Sequence, residues 1–137
     1  MRIGYVLLNF PPLSETFIRR EVLALCQAGH RVFVYTQYRH RDPLVPEPSE
    51  ENLTVRQVRF IQNPSELLRA IRADGAEHLH SGLMLVAQRA TWTAARTLQI
   101  PFTLTVYSGM DVFTLQDATL YHEISADPYC EAWHPAA

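Results

Sequence analysis

Three short clusters in this 137-residue chain combine residue types that can do chemistry. Ser14-Glu15-Thr16 follows the double proline Pro11-Pro12. Its hydroxyls and carboxylate either cap a helix or line a polar site beside free backbone N–H groups, which suit a phosphate or sugar oxygen. His78 and His80 are two apart, so a strand turns both imidazoles to one face. Such a pair could start a metal site, but no third ligand stands at a suitable spacing and no metal is expected. The other arrangement packs His78 under a helix and sends His80, at the strand end, toward a hydroxyl or phosphate. Ser108-Gly109-Met110-Asp111 reads as a tight turn, with Gly109 supplying a positive φ. Asp111 there either accepts hydrogen bonds from sugar hydroxyls or caps the segment that follows. A hydrolase built from Ser108, His80 and Asp111 lacks the G-x-S-x-G elbow that presents a nucleophilic serine.

The composition removes several chemistries. All 12 basic residues are arginine, which excludes a Schiff-base lysine, a P-loop lysine and a Ser-Lys dyad within this chain. A net charge of -2 gives no electrostatic reason to expect nucleic acid. Cys26 and Cys130 match no metal or disulfide framework, and Cys26 falls on the apolar side of the first helix as inert core. No run reaches the ~18 apolar residues of a membrane span, and the chain opens on a strand pattern rather than a signal peptide. A cytoplasmic location is expected.

The clusters need elements to position them. Ile3 to Leu8 reads as a strand apolar on both faces, as in a covered parallel sheet. Asn9-Phe10-Pro11-Pro12-Leu13 is a turn, and Ser14 opens a helix in which Leu13 and Ile18 form a hydrophobic staple. Ile18, Val22, Leu25 and Cys26 make the apolar stripe, Gly29 is the C-cap, and Arg31 to Thr36 is the next strand. Residues 37–52, rich in Arg, Pro and Glu, read as a solvated polar loop. Leu53 to Phe60 is a strand, and Asn63-Pro64-Ser65-Glu66 starts a helix that buries Leu67, Leu68 and Ile71. Ala76 to His80 is a short strand. A helix from about Leu83 to Leu98 presents Val86, Ala87, Ala90 and Ala94, and Ile100 to Val106 is a strand. A further helix fits between Leu115 and Ala126, and residues 127–137 read as an irregular tail. The alternation predicts an α/β fold: one Rossmann-like, doubly wound parallel sheet over residues 1–137. In such a sheet the turns at Asn9–Thr16, His80–Leu83 and Tyr107–Phe113 share the carboxyl edge, where ligands bind. No G-x-G-x-x-G is present.

In that order the clusters resemble a known family. Phe10-Pro11-Pro12-Leu13-Ser14-Glu15-Thr16-Phe17-Ile18, with Gly29-His30-Arg31-Val32, resembles the N-terminal signature of group 1 (family four) glycosyltransferases, in particular the exopolysaccharide and colanic-acid type. His78-Leu79-His80 resembles that family's His-x-His strand end, and Gly109-Met110-Asp111-Val112 its His-Gly-x-Asp-Val turn. The resemblance runs from about Arg2 to Phe113. It implies a GT-B fold, in which two Rossmann-like domains face each other and this chain is the N-terminal, acceptor-binding one. The donor-binding domain with its E-x7-E motif is absent, so the chain reads as truncated and inactive alone. The resemblance further implies metal-independent, retaining transfer with no cofactor, a nucleotide-sugar donor as co-substrate of the complete enzyme, and a saccharide or lipid-linked acceptor.

Carried over by position, Pro12, Ser14, Glu15 and Thr16 line the cleft, while His80, Ser108, Gly109 and Asp111 border the acceptor. His80 and Asp111 are then the candidates for a catalytic role. Ser108 stands where the family has histidine, and Ser81 where an aromatic is usual. A lipid-linked acceptor implies peripheral contact with the inner face of the membrane. Two other readings fit the same sequence: a non-catalytic module or subunit of a split transferase completed by a partner chain, and a small Rossmann-like nucleotide-binding regulator. The face toward a missing half is expected to leave Phe10, Leu83 and Phe113 uncovered and to favour self-association.

Overall fold

The computed structural model describes residues 1–12, 16–40, 46–82, 84–107 and 126–136. Its elements are β1 (Arg2–Phe10), α1 (Thr16–Gln27), β2 (Arg31–Arg39), β3 (Leu53–Gln57), α2 (Pro64–Asp74), β4 (His78–Ser81), α3 (Leu85–Leu98), β5 (Phe102–Tyr107) and β6 (Cys130–Ala136). The strands form one sheet in the order β3-β2-β1-β4-β5-β6. Every neighbouring pair is parallel. This is the order of doubly wound, Rossmann-like α/β sheets, as the alternating pattern predicts.

Each face of the sheet has its own core. Ile3, Tyr5, Leu7, Val32 and Val34 pack with Ile18, Val22 and Cys26 of α1. Val6, Phe33, Tyr35, Leu79, Phe102 and Leu104 pack with Leu67 and Ile71 of α2 and Ala87, Ala94 and Ala95 of α3. The small residues of α3 let it lie close on the strands. Val86, expected on that inner face, is exposed instead, and its place is taken by Gln88 and Thr91, both fully buried. Gly29 adopts a φ of 92°, as a helix C-cap requires. Asn63 precedes α2 but gives it no side-chain cap; its Oδ1 accepts from the Ser65 hydroxyl at 2.6 Å.

Two segments differ from the sequence expectation. The polar loop begins later than residue 37, because β2 runs on to Arg39 and Gln37 is buried, with its Oε1 accepting from the Ile61 N–H at 3.0 Å. Residues 46–52 are not simply solvated: Arg19 donates to Pro46 O at 3.1 Å, Arg39 holds Glu47 through two bonds of 2.8 and 2.7 Å, and Pro48 is buried. The tail is not irregular throughout, since Cys130–Ala136 forms the sixth strand beside β5. An edge strand tolerates Pro135, and its polar residues conceal the strand pattern. Asp127 prepares that strand. It accepts from Trp92 Nε1 at 2.7 Å and from the Tyr129 N–H at 2.9 Å.

Asp74, at the end of α2, accepts two bonds from Arg56 at 2.7 and 2.8 Å and one from the Tyr35 hydroxyl at 2.9 Å, tying α2 to β2 and β3. At the sheet centre, a Cβ on Gly4 would meet Leu79 Cδ2 at 2.8 Å and Tyr35 Cε2 at 3.0 Å. Both neighbours are fully buried and have nowhere to move. Gly4→Ala is therefore expected to destabilise the fold by about 1–3 kcal/mol through overpacking. Urea unfolding monitored by circular dichroism measures it; an unchanged midpoint would refute the packing argument.

Candidate functional site

The carboxyl edge of β1, β4 and β5 holds the described part of the expected site. β1 ends at Phe10, joined to Pro11 by a cis peptide bond, and Phe10, Pro11 and Pro12 are all buried. Phe10 is thus core and not an uncovered edge residue; it packs in the α1 cluster. The large apolar side chains exposed near this edge are Tyr38, Ile61, Met84 and Val86. After β4, Gly82 lies against α1: a Cβ there would meet Ile18 Cδ1 at 3.0 Å and Leu7 Cδ2 at 3.5 Å. The Ser81 hydroxyl donates to Val6 O at 3.1 Å. The Gln88 amide donates to both Gly82 O (2.6 Å) and Thr105 O (3.0 Å), so one buried side chain clamps the ends of β4 and β5 together. Sequence reasoning missed Gln88. The available signal was its helical spacing with Thr91 and Ala95 on the buried face of α3.

Behind the edge, on the α1 face of the sheet, lies a chain of polar groups. Register sets Tyr5 beside His80, and His80 beside Thr103. His78 and His80 do share a face, as their spacing requires. His80 is 7% exposed and does not project freely from the strand end. Its Nδ1 is 2.6 Å from Thr103 Oγ1 and its Nε2 is 2.8 Å from Thr105 Oγ1. His78 Nε2 approaches the same Thr103 oxygen at 3.1 Å. Glu21 of α1 comes within 3.6 Å of His80 Nε2 and accepts from the Tyr5 hydroxyl. A neutral imidazole offers one donor and one acceptor, and a threonine hydroxyl can be both. The chain from His78 through Thr103 to His80 and Thr105 is therefore satisfied in either tautomer, and it fixes the His80 ring as a support for β5.

Thr16 is the first residue of α1. Ser14, Glu15, Ser108, Gly109 and Asp111, and with them Leu83 and Phe113, lie outside the described residues. Pro12 is at the edge, and His80 stands one layer behind it. Among the described residues no group of three or more His, Cys, Asp or Glu is placed to hold a metal, and no helix is long and apolar enough to cross a membrane.

Burial, reinforced by the facing carboxylates of Glu21 and Asp74, raises the Tyr5 and Tyr35 hydroxyls well above the ordinary tyrosine value of about 10. The unfolded chain releases those protons near that pH while the folded chain holds them. Stability is therefore intact below about pH 10 and falls as pH rises beyond it, by about 1.4 kcal/mol per pH unit for each tyrosine. Tyr5→Phe and Tyr35→Phe should each flatten that decline. Chemical denaturation across alkaline pH tests this, and an unaltered slope in both variants would contradict it.

No family profile matches the chain, and no curated protein matches it. Among solved structures it is similar to CalG4, the calicheamicin glycosyltransferase, with 11% identity and a TM-score of 0.49 over 89% of this chain. The chain spans only 36% of that glycosyltransferase. It is similar as well to a short-chain dehydrogenase/reductase from Burkholderia vietnamiensis, with 13% identity and a TM-score of 0.48, covering 100% of this chain and 84% of that one.

Proposed function

We propose that this chain is the acceptor-side domain of a glycosyltransferase that moves a sugar from a nucleotide-sugar to a saccharide or lipid-linked acceptor. One observation carries the reading. Gly82, two residues beyond His80, packs on Ile18, the last residue of the Phe10–Ile18 segment, so two segments that resemble one family belong to one edge. On this reading Pro12, Ser14, Glu15 and Thr16 form one wall of the acceptor site, and Ser108, Gly109 and Asp111 form the other. His80 acts from behind by fixing Thr105. Gln88 keeps the two strand ends at constant separation, so the acceptor meets a preformed wall. Donor binding and departure of the nucleotide fall to a second domain, in the same polypeptide or in a partner.

A second reading, a nucleotide-binding regulator, is favoured by the strand order alone, which many dinucleotide-binding domains share. The two are separated by titrating the isotope-labelled chain with saccharides and, in parallel, with nucleoside diphosphates and NAD. The transferase reading expects saccharides to shift the Ser81 and Gly82 amides and the Gln88 side-chain amide, with nucleotides weaker than millimolar. Micromolar nucleotide binding at these groups would establish the regulator instead. Gln88→Ala should lower any saccharide affinity and cost about 1–3 kcal/mol of stability, because it strips the buried Gly82 and Thr105 carbonyls of their donor.

A further inference from the structure

Asn9, Tyr38 and His40 meet at the carboxyl ends of β1 and β2. Register pairs Asn9 with Tyr38, and the His40 N–H continues the ladder to Phe10 O at 3.1 Å. Residues paired in register turn their side chains to the same side, and the Asn9–His40 contact adds the third, so the three lie together next to the Pro11–Pro12 turn. Tyr38 is 46% exposed, although a tyrosine in a two-sided sheet is ordinarily covered, and its hydroxyl bonds to none of the described residues. Its backbone is held by the Thr36 hydroxyl, which donates to Tyr38 O at 2.7 Å. His40 Nε2 lies 3.0 Å from Asn9 Oδ1. The pair is half-buried.

The Asn9–His40 pair has a definite outward character. With Nε2–H donating to the Asn9 oxygen, the other ring nitrogen is an acceptor and the Asn9 NH₂ is a donor. With the amide turned over and donating to Nε2, the outer ring nitrogen is a donor and the Asn9 oxygen an acceptor. Either way a neutral pair presents one donor and one acceptor, at opposite ends. That is the complement of two hydroxyls on one polyol, and it is a poor match for an anion, which wants donors only. His80, by contrast, has both ring nitrogens against threonine hydroxyls. Of these two imidazoles, that of His40 is the one at the strand ends.

We propose that Tyr38, Asn9 and His40 form a saccharide-contact patch, with the Tyr38 ring lying against the apolar face of a sugar and the Asn9–His40 pair engaging two of its hydroxyls. An exposed aromatic beside a small set of fixed polar groups is the usual chemistry of a site for a small polar ligand. The inference rests on the acceptor-side reading above and names the residues that read the sugar. None of the three belongs to a chemistry-bearing cluster in the sequence, because each is an ordinary strand or turn residue until the register brings them together.

The test uses the full chain and a panel of methyl glycosides of glucose, galactose and mannose with maltose and cellobiose. Saturation transfer from the Tyr38 ring to sugar protons is expected, with shifts of the Asn9 amide and His40 ring. Tyr38→Ala should weaken binding by about tenfold, and Tyr38→Phe should keep it. His40→Ala and Asn9→Ala should each weaken it by about two- to tenfold. Saturation transfer on the unaltered chain decides the matter even where a variant fails to fold. Saccharide shifts at Ser81 and Gly82 without transfer from Tyr38, and with variants binding as the parent does, overturn the patch and leave the acceptor reading standing. Absence of any saccharide binding overturns both.

Discussion

The constraint on which the rest of the structure depends is the double burial of β1. This strand lies between β2 and β4, and both of its faces are covered, by α1 on one side and by the core beneath α2 and α3 on the other. A strand in that position has no solvent side to which an error can be turned, so each residue is chosen by its neighbours. Tyr5 needs Glu21 for its hydroxyl, Val6 gives its carbonyl to Ser81, and Gly4 has no space for a side chain. The positions of Phe10, Pro11 and Pro12 follow from the strand that delivers them. What stands at the carboxyl edge is thus fixed by packing well inside the sheet.

Among the described residues, the polar groups in this core complete one another. The α1 face of β4 and β5 carries histidine and threonine where parallel sheets normally carry aliphatic residues. A lone buried imidazole would cost several kcal/mol in lost hydration. Here each ring nitrogen of His80 meets a hydroxyl, and the carboxylate that takes the Tyr5 hydroxyl sits within reach. Gln88 does the same work for carbonyls at two strand ends. Such fully satisfied networks fix geometry more firmly than they add stability, because a shifted strand would leave several groups unpaired at once. That firmness suits a region from which a ligand site is built.

Much of this was legible in the sequence, for reasons that can be named. The βαβ unit was readable because Ile3–Leu8, the Ile18–Cys26 stripe and Gly29 give strand, helix and stop in turn. The shared face of His78 and His80 followed from a spacing of two. The sixth strand was not readable: Glu131, His134 and Pro135 break any apolar alternation, and its pairing with β5 is decided by an edge left open elsewhere in the chain. Phe10 was misread because a residue beside two prolines looks like a loop, whereas the turn folds inward and buries it completely. Gln88 and the Asn9–His40 pair depend on which atoms a helix or register brings opposite, which local pattern does not specify.

The turn after β1 finally bears on what kind of ligand the edge can hold. A glycine-rich turn binds pyrophosphate because successive N–H groups point at it and no Cβ blocks the approach. Pro11 and Pro12 take this position, and neither has an N–H to give. Their rings are buried, so the backbone is also screened from a close-lying phosphate. Two donors are therefore missing from the place where a dinucleotide would most need them. With no lysine in the chain, only arginine, or protonated histidine, could supply the charge, and among the described residues Arg39, at the end of β2, is already bound twice to Glu47. The described side chains beside that turn, Asn9, Tyr38 and His40, carry amide, phenol and imidazole groups. Those groups match the hydroxyls and C–H faces of a sugar better than they match a phosphate.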